Sequence, residues 1–147
     1  MLRTPSYGAV MNSVVMVGLV DSRGWLLLQE RDEHAPIEPD KWSLVGGGVE
    51  ADERPDTAAR RELMEETGIA CDDLVSLGSH DLPCAFHGRD LVDLFTARTS
   101  VTDAAVVCGE GRQIVFVEPS TISTLDLTDT TRILLPLVLD GDAPASD

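Results

Sequence analysis

Residues 47–69 read GGVEADERPDTAARRELMEETGI, and the fold turns on how this stretch divides into loop and helix. The residues predict a helix over Pro55 to Thr67. Pro55 suits a first helical position, where its missing N–H costs nothing, and Asp56 complements the helix dipole there. Ala58, Ala59, Leu63 and Met64 supply helix-forming and apolar positions, and Gly68 is placed to end the helix in a left-handed cap. Glu62, Glu65 and Glu66 stand at i, i+3 and i+4, so their carboxylates emerge on one face. Like charges so placed repel by roughly a few tenths of a kcal/mol per adjacent pair, and Arg60 and Arg61 offset only part of this. A hard divalent cation would turn the repulsion into attraction, because Mg²⁺ prefers oxygen donors in an octahedron and keeps several waters. On spacing alone, a solvated charged helix face is the commoner case.

Upstream of this stretch, Trp42 to Val45 is a short apolar segment running into Gly46-Gly47-Gly48. A polar loop from Arg31 to Lys41 precedes it, with Pro36 and Pro39 discouraging regular structure. Ser13 to Val20 and Trp25 to Glu30 are β-rich, and the turn chemistry of Asp21-Ser22-Arg23-Gly24 joins them as a hairpin. Downstream, Leu74 to Ser79 and Leu91 to Thr99 read as strands flanking a Gly88-Arg89 turn. Gln113 to Val117 is a further strand, entered through Gly109-Glu110-Gly111. A closing helix is expected over Asp129 to Leu139, N-capped by Thr128, with a kink or early stop at Pro136. No repeat or low-complexity linker divides the chain. The expected organisation is a loose extension over residues 1–10, one mixed α/β domain over residues 11–140, and a flexible tail over residues 141–147.

Composition narrows the function classes. The 147 residues are 43% apolar, as in an ordinary globular domain, and carry a formal net charge of -15. Such an acidic surface repels nucleic acid and anionic lipid, which argues against stable nucleic-acid binding or a membrane-surface role. It can still accept a phosphate-bearing substrate if divalent cations stand between the two anions. On composition alone the charge reads as serving solubility. The apolar run Val14 to Val20 falls far short of the ~20 residues needed to span a bilayer. Cys71, Cys84 and Cys108 form no C-x-x-C pair; this suggests reduced, packed thiols in a cytoplasmic protein.

Returned to its context, the acidic helix resembles a known motif. Residues 47–69 match the Nudix signature G-x5-E-x7-R-E-U-x-E-E-x-G-U, with U aliphatic, at Gly47, Glu53, Arg61, Glu62, Leu63, Glu65, Glu66, Gly68 and Ile69. Resemblance to the Nudix (MutT-like) hydrolases implies an α/β/α sandwich around a mixed β-sheet. It also implies Mg²⁺-dependent hydrolysis, with Mn²⁺ as the alternative metal. The bond cut would be a phosphoanhydride in a nucleoside diphosphate linked to another moiety, such as a nucleoside triphosphate, oxidised nucleotide or nucleotide sugar. Carried over by position, Glu65 and Glu66 ligate the metal together with the carbonyl of Gly46. Glu62 binds it directly or through water and is a candidate base. Arg61 holds a signature glutamate by a salt bridge, and Glu53 supports the loop–helix junction. Glu110 is the best-placed later acid, as ligand or base, ahead of Asp90 and Asp93. Arg31 either reaches a substrate phosphate or is an ordinary surface arginine, and both readings stand. The family resemblance is compatible with a homodimer.

Departures bear on the substrate. The segment before the signature is Leu44-Val45-Gly46-Gly47 where the family usually has L-P-G-G, which loosens the loop without removing the carbonyl. Gly48 stands where members that destroy oxidised guanine nucleotides often have lysine. Pro83 falls out of register with the proline of the ADP-ribose hydrolases, and Phe86 lies where diadenosine polyphosphate hydrolases tend to have tyrosine, so neither marks a subclass. His34, His80 and His87 are expected as solvated residues, and Trp25 and Trp42 as core. The competing reading is a nucleotide sensor without turnover; retention of every signature carboxylate favours catalysis over it.

Overall fold

Alternation along one strand sorts the molecule into layers. A computed structural model describes residues 11–84 and 88–145, so the readings of residues 1–10, Phe86, His87 and the last two residues of the tail lie outside it. Strand β1 (Met11–Val20) sends Val15, Val17 and Leu19 into one buried cluster and Met16 and Val20 into another. Successive side chains of a strand point to opposite faces, so each set seeks its own cover. Helix α1 (Pro55–Thr67) covers the first set with Ala58, Ala59 and Leu63. A single-turn helix, α2 (Pro119–Ile122), and the long helix α3 (Asp129–Ala145) cover the second with Ile122, Leu134 and Val138. The result is the expected α/β/α sandwich.

The other strands are β2 (Leu26–Glu30), β3 (Trp42–Ser43), β4 (Val45–Gly48), β5 (Val75–Cys84), β6 (Gly88–Arg98) and β7 (Gln113–Val117). They join β1 in a seven-stranded sheet of order β3-β2-β1-β6-β5, with β4 added to β1 and β7 added to β2. β1 and β6 run parallel from Met11↔Arg89 to Val20↔Arg98. The remaining strand pairs are antiparallel, so the sheet is mixed. β1 therefore divides its length between two partners: β4 pairs over its middle and β2 only at Val20↔Leu26. The divergence of β2 from β4 opens the sheet beside the start of α1's glutamates.

Some elements differ from the sequence expectation. Gly88 and Arg89 do not turn the chain; they begin β6 and pair with Cys84 and Pro83. Gly88 does keep a turn-like φ of 86°, which is the signal read from the sequence. Pro83 is tolerated because β5 is an edge strand. The glycine run 46–48 is itself part of a strand, β4, which pairs with β1 at Met16↔Gly46 and Val15↔Gly47. Thr128 caps α3 as expected, accepting from the Thr131 N–H at 3.3 Å. The helix nevertheless passes Pro136 and continues beyond Leu139 to Ala145. Leu134 and Val138, both buried against the sheet on either side of that proline, outweigh its lost hydrogen bond.

Candidate active site

Helix α1 presents its acids in two directions. Residues four apart share a face, and Glu62 and Glu66 follow Ala58, Ala59 and Leu63 toward the sheet. Glu66 is only 8% exposed and the Glu62 side chain 13%. Glu65 is rotated away, its side chain 58% exposed. The helix ends where expected, at Gly68, whose φ of 75° lets its N–H bond Met64 O.

Glu62 and Glu66 open onto a cavity of about 510 Å³, shared with Glu110, Gly46, Gly47 and Arg31. Burial pushes the Glu66 carboxyl up to about 9, and the neighbouring carboxyls of Glu62 and Glu110 add to the shift while Arg31 opposes it. Burial likewise lowers the Arg31 guanidinium from its usual value, against the pull of Glu38, Glu110 and Glu66. Arg31 donates from Nη1 to Ile37 O, so it is braced within the 31–41 loop whose Ala35, Pro36 and Ile37 form the apolar wall. The site is thus a carboxylate-rich wall facing one half-buried cation.

The glycines let this wall close. A Cβ on Gly47 would lie 2.4–2.6 Å from the Glu62 carboxyl group, and one on Gly46 would lie 2.0 Å from Val15 O. Only glycine allows β4 to lie this close to both β1 and α1.

Arg61 organises the rim. Its Nε and Nη2 donate to the two Glu53 carboxylate oxygens at 2.8 and 2.9 Å, in a bidentate pair. Nη1 reaches Glu62 at 3.0 Å and Glu65 at 3.3 Å, and Nη2 also donates to Gly48 O at 2.9 Å. Hydrogen bonding from Arg61 holds the Glu53 carboxyl down to about 2. Because that value lies below the unfolded one near 4.5, the contribution of Glu53 to stability is present above about pH 4.5 and fades as pH falls toward 2. Glu53→Gln is therefore expected to flatten the acid limb of a urea-unfolding profile between those values. Arg61→Lys, which keeps the charge but cannot hold the fork, is expected to lower hydrolysis by about 10–100-fold, the usual cost of losing a partner that orients ligands. Steady-state rates of the two proteins at equal concentration check this.

Glu110 arrives on a loop seated across the end of α1. Val107 N–H donates to Thr67 O and Gly109 N–H to Glu66 O, satisfying carbonyls that the helix leaves open. Arg112 ties the same loop to the other wall through Glu30, Glu33, Asp40 and Arg31 O.

Other sequence candidates lie elsewhere. Asp90 and Asp93 sit on β6 and do not line the cavity; Asp93 accepts from Ser79 Oγ. His80 bonds Leu77 O, whereas His34 lines the cavity mouth. Trp25 and Trp42 pack against the two core clusters. Cys71, Cys84 and Cys108 are free, and Cys108 is exposed instead of packed, its thiol against Glu110 O and Gly111 O. Two residues near the site were not singled out in the sequence. Arg112 left no local signal. Gln29 did leave one: it shares a sheet face with buried Leu27, and a polar side chain at such a position requires partners.

The donor set suits a hard divalent cation: carboxylates and a backbone carbonyl, one acid nearly buried with its charge suppressed. Among the described residues no three His, Cys, Asp or Glu side chains are gathered closely enough to hold an ion as they stand.

Residues 10–136 match the family model of the NUDIX domain. The chain belongs to the Nudix hydrolase family. Its relatives include the nucleoside triphosphatase NudI of Salmonella agona, 27% identical over 132 residues that make up 84% of this chain and 94% of that protein. The RNA pyrophosphohydrolase of Gluconacetobacter diazotrophicus is 31% identical over 106 residues, 65% of this chain and 62% of that one. The MutT protein of Methanosarcina mazei Go1 superposes with a TM-score of 0.75 at 20% identity, over 90% of this chain and 95% of that chain, which shows the shared fold. The signature lies on the end of β4, the loop after it and α1. Among the described residues of this Nudix hydrolase, no helix is long and apolar enough to cross a membrane.

Proposed function

We propose that this Nudix hydrolase cuts a pyrophosphate bond in a small nucleotide, a nucleoside diphosphate joined to another moiety, with Mg²⁺ or Mn²⁺ as its metal. The observation that carries the reading is the nearly buried Glu66 facing Glu62, Glu110 and Arg31 across one cavity. The cation would be held by Glu66, Glu62 and the Gly46 carbonyl, with Glu110 as an added acid; Glu65, at the rim and outside the cavity lining, would join them only by turning inward. When bound, it supplies neutralisation of the phosphate oxygens and a lower pKa for the attacking water. Glu62 or Glu110 accepts the proton from that water. Arg31 binds and orients a phosphate of the substrate, and Arg61 keeps Glu62 in place. Ala35, Pro36 and Ile37 offer the apolar wall against which a base or sugar packs. The kinship with the nucleoside triphosphatase NudI supports a triphosphate-bearing substrate, and that with the RNA pyrophosphohydrolase supports a pyrophosphate bond as the one cut.

Phosphate and pyrophosphate release with Mg²⁺ tests this over nucleoside triphosphates, oxidised nucleotides, ADP-ribose, dinucleoside polyphosphates and nucleotide sugars. Turnover of one class is expected, falling to background in EDTA and returning with Mg²⁺ or Mn²⁺. Turnover that survives EDTA would refute the metal reading. Nucleotide binding with no release across the panel would make the protein a sensor.

A further inference from the structure

We infer that Gln29 is a positioning residue for the cavity's acids: its side-chain amide ties the loop carrying Glu110 to strand β2 and to the Glu66 carboxylate. Gln29 is 8% exposed and its backbone is fixed by pairing with Ile114 on β7 and Ser43 on β3. From that anchored position Nε2 donates to Glu110 O at 2.8 Å and stands 3.5 Å from Glu66 Oε1. A primary amide nitrogen carries two hydrogens, one for each oxygen. Glutamate there would set two more oxygens against a carbonyl and a carboxylate, and a hydrocarbon would leave both acceptors unmet. Gly111 lets the loop pass close by, since a Cβ there would come within 2.6 Å of Glu30 O and 3.2 Å of Gln29 Cγ. Arg112 secures the loop's outer edge from an exposed position, where ion pairs hold weakly. From the cavity side Gln29 adds a side-chain bond to the backbone bonds made by Val107, Gly109 and Arg112.

The inference rests on the proposed reading of Glu66 and Glu110 as site carboxylates, and its test separates the two. Gln29→Met keeps volume and removes the donors. Two readouts need no substrate: hydrogen exchange of the metal-free protein at Val107, Gly109 and Arg112, whose amides are hydrogen-bonded, and Mn²⁺ titration followed by electron paramagnetic resonance. Faster exchange at those amides is expected, with α1 and β2 unchanged, together with Mn²⁺ binding weakened about tenfold. Glu110→Ala should then weaken Mn²⁺ binding in the wild type but add little in the Gln29→Met background. Wild-type exchange and wild-type affinity in Gln29→Met, or fully additive losses in the double variant, would overturn the positioning role while leaving the site reading intact. A wild-type protein that binds no Mn²⁺ would overturn the site reading and the inference with it. Should Gln29→Met fail to fold, Gln29→Asn, whose amide stops one methylene short of Glu110 O, carries the same expectations.

Discussion

Glu66→Gln is expected to reduce hydrolysis by about a thousandfold, beyond the 10–100-fold typical of residues that only support a ligand, and at the same time to make the metal-free protein more stable. The two effects share one cause. Glu66 is buried beside Glu62 and Glu110, and its carboxyl is raised to about 9. A group whose folded value lies above its unfolded value binds a proton more tightly when folded, so stability falls as pH rises between the two, here from about 4.5 to about 9. The amide of glutamine has no charge to desolvate and removes that penalty. Thermal unfolding in EDTA at pH 7.5 should show Glu66→Gln melting higher than wild type, by about 2–4 °C for each kcal/mol regained. The same pair at pH 5 should nearly coincide. Added Mg²⁺ should raise the melting point of the wild type and leave the variant unmoved. A variant less stable than wild type at pH 7.5 in EDTA would contradict the electrostatic account, whatever its activity.

Adjacent glycines are expected to fail in different ways when given a methyl group. At Gly46 the new Cβ meets a backbone atom, Val15 O, at 2.0 Å. Backbone in a paired strand cannot step aside, so Gly46→Ala must separate β4 from β1. A loss of about 1–3 kcal/mol or more in urea unfolding is expected, in the range of an overpacked core. At Gly47 the new Cβ meets the end of a flexible side chain, the Glu62 carboxyl, at 2.4 Å. Glu62 can rotate away, so Gly47→Ala should keep most of its stability and lose most of its hydrolysis, on the order of a hundredfold for a misplaced catalytic group. Equal stability losses in the two variants, or a fully active Gly47→Ala, would break the distinction.

What the sequence made legible was what local rules control. α1 was readable to the residue because Pro55 and Gly68 mark its ends within the chain itself, and β7 because a β-branched and aromatic run is entered through glycines and followed by Pro119. The helix spacing placed three glutamates together, but only packing against the sheet shows that Glu62 and Glu66 turn inward while Glu65 remains at the rim beside Arg61. The glycines at 46 and 47 gave no strand signal, since their pairing with β1 and their closeness to Glu62 are set by residues about thirty positions upstream and fifteen downstream, distances no short-range pattern spans. Arg112 was invisible for the same reason: its partners Glu33 and Asp40 lie on a separate loop. Pro136 gave a real local signal that tertiary burial overrode.

The parallel pairing of β1 with β6 bears on how the protein comes into being. Gly18 and Thr96, held together at 2.8 Å through the Thr96 hydroxyl, are 78 residues apart in the chain. At a synthesis rate of about 5–20 residues per second, β1 waits several seconds on the ribosome before its neighbour exists. Its Val15, Val17 and Leu19 have no lasting cover in that interval beyond what β4 and α1 provide. The hairpin and the helix can form early, but the centre of the sheet closes late, as expected for a topology rich in distant contacts. Glu110 lies later still in the chain, so a nascent fragment ending before it would carry the full signature helix and an unfinished cavity. Catalytic competence thereby waits on chain that is made well after the signature helix.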